Sequence, residues 1–503
     1  MEDYENLEGF TIRPYRSKRL AEYSKRMSAD DLTPLMDSNV KAALQLQSLP
    51  VEESPRSIYK VSKLYDALRM YSPKNSFRVQ FDEDVKSGVA LAYTCFARPS
   101  SKQKLSALEL CPKTVELVTS NPSGSAGLTA YGSTKQASKV RALARARQTL
   151  VGEKGPEACI AFKRTQFNDK TRLVWGYPYA MTVIEGLVAY PLLQEFKGGW
   201  SPMAFAMPTS ALGAKLRVAS YRKKWAYSID MSQFDSSISA KLINVAFNIL
   251  RTWYDLDEIE PNSGQSVRDI FKLIEKYFIT TPIVMPNRKL YLGKRHGVPS
   301  GSFFTQIVDS IVNVIVAGTI SQHFSLNVDA RDIFVLGDDL LMWSNRKMDL
   351  DDIASYVTRK LGIKMHGSEK SNIYRFDEAV HYLGRDWPNG VPTIDESEIL
   401  KRMLFPERFR RYSKDPQTRQ REVQQLIMSY ATTYWSAWKI IQDTLGTDLW
   451  YLQDPELLDK QAYGSPDELV NPDHLSGLMR YRMKYNKLGE SGVVSTTGQL
   501  FWL

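Results

Sequence analysis

Apolar residues along the middle of the chain follow two different periods. Ile333-Phe334-Val335-Leu336 and Leu340-Leu341-Met342-Trp343 are short continuous apolar runs separated by Gly337-Asp338-Asp339. Runs of that length on either side of a turn former read as two buried strands of a hairpin. Gly337 can supply the positive φ that a tight turn requires. Tyr227-Ser228-Ile229-Asp230 reads as the end of a third strand. After Ser300-Gly301 the period changes: apolar residues stand at 303, 304, 307, 308, 311, 312 and 315, the recurrence of a buried helix face. Thr305, Asp309 and Asn313 form a separate polar stripe. Taken by itself, the simpler reading is a helix N-capped by Ser300 or Ser302 with that stripe in solvent. A buried stripe would instead line a polar cavity able to read a ribose. Further on, Glu422 to Met428, continuing through Trp435 and Trp438, reads as helices whose aromatics are core rather than base-stacking platforms.

The carboxylates on these elements carry the chemistry. With both hairpin strands buried, Asp338 and Asp339 would stand together at the tip and repel each other unless cations neutralise them. Mg²⁺ suits such a place, because it takes carboxylate oxygens and keeps its other positions for water and substrate phosphates. Asp230 could meet Asp338 across neighbouring strands and hold two ions between them, a pair that stabilises both oxygens of an in-line displacement. A lone Gly-Asp-Asp is weak, since Asp-rich turns are usually just solvated. The weight comes from order: Asp230-Met-Ser-Gln-Phe-Asp235, then Gly297-Val298-Pro299-Ser300-Gly301-Ser302-Phe303-Phe304-Thr305-Gln306, then Gly337-Asp338-Asp339. Together they suggest a metal-dependent phosphoryl-transfer site.

Composition sharpens this only locally. The net charge of +10 on 503 residues is moderate, but its placement is uneven. Between Lys135 and Arg172, ten Lys or Arg face three acidic residues, and between Lys401 and Glu422 eight face three. Two such patches flanking the acidic motifs fit grips on incoming triphosphate and template and on product duplex. Their plainer reading is solvated helix faces. With 43% hydrophobic residues the chain can bury a large core and exceeds one typical domain. Cys95, Cys111 and Cys159 lack metal-ligand spacing, which points to reduced cytosolic thiols rather than disulfides or zinc. No apolar run is expected to span a membrane, and Met1-Glu2-Asp3-Tyr4-Glu5 is acidic where a signal peptide would be basic. Internal repeats and low-complexity tracts are lacking.

In this order the motifs resemble those of RNA-dependent RNA polymerases of double-stranded RNA viruses, most closely the partitiviruses and next the picobirnaviruses. Asp230 to Asp235 resembles the first palm motif, Ser300-Gly301 through Thr305 to Asn313 the second, and Gly337-Asp338-Asp339 the third. Gly362 to Lys370 is similar to the fourth, and Tyr382-Leu383-Gly384-Arg385 more weakly to the fifth. Upstream, Lys170-Thr171-Arg172-Leu173-Val174-Trp175-Gly176-Tyr177-Pro178 resembles the basic finger motif, and Ser123-Gly124-Ser125-Ala126-Gly127 the small-residue motif over the template.

The resemblance implies an α+β right-hand fold of fingers, palm and thumb, with an antiparallel palm sheet and mostly helical fingers and thumb. Residues 1–70 would be an N-terminal arm bridging fingers and thumb, with fingers at 71–222 and 246–296. The palm would comprise 223–245 and 297–395, and the thumb and tail 396–503. It implies that Asp230, Asp338 and Asp339 bind two Mg²⁺, with Mn²⁺ a possible substitute. Lys370 would protonate departing pyrophosphate. Lys163, Arg164, Lys170 and Arg172 would meet substrate, as would Ser300, Gly301 and Thr305. Asp235 and the second-motif helix would check the ribose 2′-OH. Asp309 stands where many relatives have Asn, and Asn appears only at 313. The implied activity is replication and transcription of a viral RNA genome. Partners would be RNA template, product duplex, nucleoside triphosphates and viral capsid protein, with no membrane, inside the virion and in host cytoplasm. One rival fails and two alternatives stay open. A P-loop NTPase at Gly127 to Lys135 lacks lysine directly after the second glycine, where Ser133 stands. A reverse transcriptase also sets paired aspartates on a hairpin. An RNA-binding protein could keep the fold without activity. The apolar end Gly498 to Leu503 is expected to dock on the body.

Overall fold

A computed structural model of the chain describes residues 5–31, 36–44, 58–166, 170–197, 199–406 and 410–433. Trp435, Trp438, Arg408, the acidic start and the apolar end therefore lie outside the described residues.

The two apolar runs form the expected hairpin, Ile333–Leu336 with Asp339–Ser344, and Leu336 pairs with Asp339. Only Gly337 and Asp338 are left in the loop, and Gly337 takes φ +63° at the first loop position, where two-residue hairpins need it. Asp339 is therefore the first residue of a strand, not a tip residue. Strand Trp225–Ile229 pairs antiparallel with the long hairpin strand, and Asn372–Arg375 closes the four-stranded antiparallel sheet on its far side. One face of this sheet lies on helix Thr305–Phe324.

That helix corrects three expectations. Every residue from Ile307 to Ile320 is buried, Asp309 and Asn313 included, so the polar stripe does not face solvent. Helices Glu83–Phe96, Ala240–Arg251 and Leu350–Leu361 pack around it together with the sheet, leaving no exposed side. Its N-cap position falls on Phe304, without a side-chain cap. It is also, at 20 residues, long and apolar enough to cross a membrane, contrary to the sequence reading, although 83% of its apolar window is buried inside the protein.

A second sheet is five-stranded, in the order Thr11–Pro14, Lys289–Leu292, Ile283–Val284, Cys159–Gln166, Lys170–Gly176, with one parallel pair. The N-terminal segment supplies its edge strand and then runs on. Tyr23 donates to the Ala161 carbonyl at 2.6 Å, Asp31 pairs with Lys163 at 2.9 Å, and the Asp37 carboxylate accepts from Tyr412 at 2.6 Å and Arg410 at 3.2 Å. One stretch of chain thus ties this sheet to the segment around 404–412.

Candidate active site

The sheet register brings the acidic residues together. Ile229 pairs with Leu340, so Asp230, the next residue, runs alongside Asp339, and Asp338 sits in the adjoining turn. Asp230 is held through its backbone: its N–H donates to Ser371 Oγ at 3.1 Å, and its carbonyl accepts from the His366 N–H at 2.9 Å. Helix Leu350–Leu361, capped at Asp349 and ending at Gly362, delivers that loop. Lys364–Met365 then pairs with Met231–Ser232.

The turn bearing Asp338 is clamped by the buried helix. Ser310 Oγ accepts from the Gly337 N–H at 3.0 Å, and Asn313 Nδ2 donates to the Gly337 carbonyl at 2.8 Å. Both polar groups of one turn residue are thereby satisfied inside the protein, which fixes the turn. Asn313, expected at the ribose, is committed here through its amide nitrogen, while its Oδ1 reaches no partner. Ser310 was missed; its signal was a third polar position, at 309, 310 and 313, in an apolar helix.

Charge is concentrated and poorly balanced. Burial raises the Asp339 carboxyl to about 7, with Asp338 and Asp230 adding to the rise and Arg172 opposing it. Asp235 is raised to about 6 by burial and Asp338, again against Arg172. Asp309 is 2% exposed and is pushed well above the carboxylate range by burial, then by Asp235 and Asp338; its Oδ1 has no hydrogen-bond partner. Arg172 is exposed and makes no ion pair among the described residues. Its charge acts on Asp339 and Asp235.

The loop before the helix stitches the two sheets together. Ser300 Oγ donates to the Leu173 carbonyl at 3.3 Å, the Trp175 N–H donates to the Ser300 carbonyl at 3.1 Å, and Thr305 Oγ1 donates to the Pro299 carbonyl at 3.0 Å. Gly301 takes φ +118°, and a β-carbon there would collide with the Trp175 carbonyl oxygen. Gly301, Lys163, Arg164, Lys135 and Gly124 help line a cavity of 430 Å³. Lys163 is paired with Asp31, and Tyr59 lies under it at 3.9 Å. Arg164 pairs in register with Arg172, and Lys170 opens the same strand. Other cations of the basic blocks are likewise paired, Arg145 with Glu157 at 3.3 Å and Arg410 with Asp37.

Lys370 stands on the loop that holds Asp230. Its Nζ lies 3.4 Å from His366 Nε2, and His366 Nε2 lies 3.7 Å from Asp230 Oδ2.

This chain matches the family of viral RNA-dependent RNA polymerases over residues 163–433, more than half its length. The chain belongs to that family. Among its relatives is the RNA-directed RNA polymerase of Cryptosporidium parvum virus 1 (strain KSU-1), 33% identical over 174 residues, which are 33% of this chain and 31% of that protein. Another is the RNA-directed RNA polymerase of Atkinsonella hypoxylon virus (isolate 2H), 27% identical over 153 residues, 29% of this chain and 23% of that protein. The chain thus spans under a third of the length of either relative. The crystal structure of the RNA-dependent RNA polymerase of a human picobirnavirus superposes with TM-score 0.60 at 17% identity, covering 93% of this chain and 87% of the other. The right-hand polymerase fold follows, with the four-stranded antiparallel sheet as its palm sheet. In this viral polymerase fold two further buried residues, outside every sequence motif, support the palm. Tyr71 is buried, donates to the Val298 carbonyl at 3.1 Å and lies edge-on to Trp175 at 5.1 Å. Glu185 holds the Ser-Gly loop from below through Ser302. The signal for Glu185 was available: it is the only charged residue between Arg172 and Glu195.

Proposed function

We propose that this chain is an RNA-directed RNA polymerase that joins nucleoside triphosphates on an RNA template. The observation that carries the reading is the convergence of Asp230, Asp338 and Asp339 at one end of the palm sheet, with Arg172 as their cation. The family generally uses divalent metal ions, and the donor set fits them: the Asp339 carboxyl, raised by burial and then by Asp338 and Asp230, stands among acidic neighbours that a cation would neutralise. Carboxylate oxygens suit Mg²⁺, or Mn²⁺ in its place, whose remaining positions go to water and phosphates. Asp230, Asp338 and Asp339 would hold two such ions, which supply, when bound, the charge stabilisation that in-line displacement at phosphorus needs.

The chain's own residues do the rest. Ser310 and Asn313 keep the Asp338 turn in place, and the 366–371 loop keeps Asp230 beside it. Arg172, exposed and without an ion pair among the described residues, would receive the triphosphate. Asp235, raised by burial and Asp338, and Asp309, raised by burial and then by Asp235 and Asp338, would lend the ribose side a proton. Lys370 can carry a proton toward leaving pyrophosphate. By the same resemblance we place the enzyme with capsid protein in the virion interior and in host cytoplasm. The test offers labelled ribonucleotides and deoxyribonucleotides separately on single-stranded RNA with Mg²⁺. Template-length RNA from ribonucleotides is expected. Incorporation of deoxyribonucleotides alone would move the assignment to reverse transcription, and no incorporation of either would favour a non-catalytic RNA-binding role.

A further inference from the structure

Helix Tyr179–Phe196 buries one carboxylate, Glu185, at 0% exposure. Its Oε2 accepts from Ser302 Oγ at 2.8 Å and from the Phe303 N–H at 2.9 Å, and Ser302 Oγ in turn accepts from the Phe304 N–H at 3.0 Å. Oε1 reaches no partner. Among the described residues no lysine, arginine or histidine pairs with this carboxylate. The groups facing it are the Tyr177 hydroxyl on the entry to its own helix, Cys159 on the finger strand, and Tyr277 on helix Val267–Thr280; Lys294 lies behind Cys159, donating to the Phe278 and Ile279 carbonyls. Burial pushes the Glu185 carboxyl up to about 7, with Ser302 and Phe303 opposing the rise.

A buried charge without a countercharge costs stability, and filling this space would not require one. What the carboxylate does hold is the loop at Ser302 and Phe303. On its other side that loop is stitched to the strand carrying Arg172, through Ser300 to Leu173 and Trp175. At Gly301 it forms part of the cavity wall, and at Thr305 it enters the helix that clamps Gly337. We propose that Glu185 is a positioning residue for RNA synthesis, whose carboxylate anchors the Ser300–Phe304 loop and thereby sets Arg172 and the Asp338 turn relative to each other. The inference rests on the polymerase reading for its effect on synthesis, but the anchor itself can be measured without RNA. The ionised carboxylate is the stronger acceptor for two donors, and protonation weakens it in that role. The anchor is therefore firm above about 7 and weaker below.

Hydrogen–deuterium exchange of the peptide spanning 298–306, in the free full-length protein, reads the anchor directly. Single-nucleotide elongation rate from pH 6 to 8 reads its effect. Glu185→Ala and Ser302→Ala should each speed exchange in that peptide and slow elongation about tenfold, the worth of one charge-assisted hydrogen bond. The double variant should be no slower than either single one. Ser302→Ala opens a far smaller cavity, so it stands should Glu185→Ala fail to fold. Glu185→Gln keeps an acceptor oxygen for both donors, so it should elongate normally at neutral pH while losing the part of the acid-side decline that belongs to Glu185. Unaltered exchange in folded Glu185→Ala and Ser302→Ala, or a Glu185→Gln profile identical to wild type, would overturn the proposal. Should exchange respond as expected in a protein that synthesises nothing, the polymerase reading fails and the anchor stands.

Discussion

Replacing Asp339 by Asn should make the metal-free protein more stable, not less. The Asp339 carboxyl is raised from 3.8 to about 7, by burial first and then by Asp338 and Asp230. At about 1.36 kcal/mol per pKa unit, a rise of about three units corresponds to about 4 kcal/mol as a ceiling. Asp339 is only partly buried and shares the repulsion with two neighbours, so about 1–2 kcal/mol is the expected gain. The sign follows from linkage: a carboxyl whose folded pKa lies above its unfolded one binds its proton more tightly in the folded state. Its contribution is present below the unfolded value and lost as pH rises, completely so above about 7. With chelator at pH 8, Asp339→Asn should therefore unfold at a Tm higher by roughly 1–2 °C, while at pH 4 the two proteins should coincide. Saturating Mg²⁺ should reverse the ranking, because ligand binding to the folded state stabilises the wild type more. Thermal unfolding under these three conditions checks the argument. A chelated Asp339→Asn that is no more stable than wild type at pH 8 would refute the claim that these carboxylates repel one another in the empty site.

Three more outcomes follow from the geometry. Ser310→Ala and Asn313→Ala each remove one of the two bonds holding Gly337, so each should lower kcat about tenfold, with the double variant falling short of the product of the two; full additivity would show that the clamp does not act as a unit. Arg172→Ala should raise the KM for nucleoside triphosphates about tenfold and Arg172→Lys less, measured by steady-state incorporation; an unchanged KM in both would remove Arg172 from triphosphate binding. Asp309→Asn keeps a buried polar group of the same shape beside Asp235, so ribonucleotide over deoxyribonucleotide preference should stay within about threefold of wild type, whereas Asp309→Ala should cut it about tenfold; equal preference in all three proteins would exclude Asp309 from sugar selection.

The hairpin was legible because its signals are local: two apolar runs of strand length and a glycine where the turn needs one. That Asp339 opens a strand was not, since turn length depends on which residues pair across the loop. The polar stripe of the 305–324 helix was visible, but its burial was not. Three helices from distant parts of the chain and the sheet cover that helix, and no period in its own sequence announces them. The basic blocks misled in part for the same reason. Asp31 for Lys163 and Asp37 for Arg410 lie more than a hundred residues away, so charges that look free in sequence are spent inside the chain. Glu185 shows the opposite case, an isolated charge in an apolar helix that was on the page but lacked a motif to draw the eye.

The central claim is that the carboxylates on the palm sheet catalyse RNA synthesis. Labelled-ribonucleotide incorporation on single-stranded RNA, titrated with Mg²⁺ for wild type and Asp338→Asn side by side, tests it most directly. Template-length RNA from the wild type, dependent on Mg²⁺, with product from Asp338→Asn reduced by about a thousandfold or more, is the predicted result. Equal product from the two proteins at every Mg²⁺ concentration would contradict it.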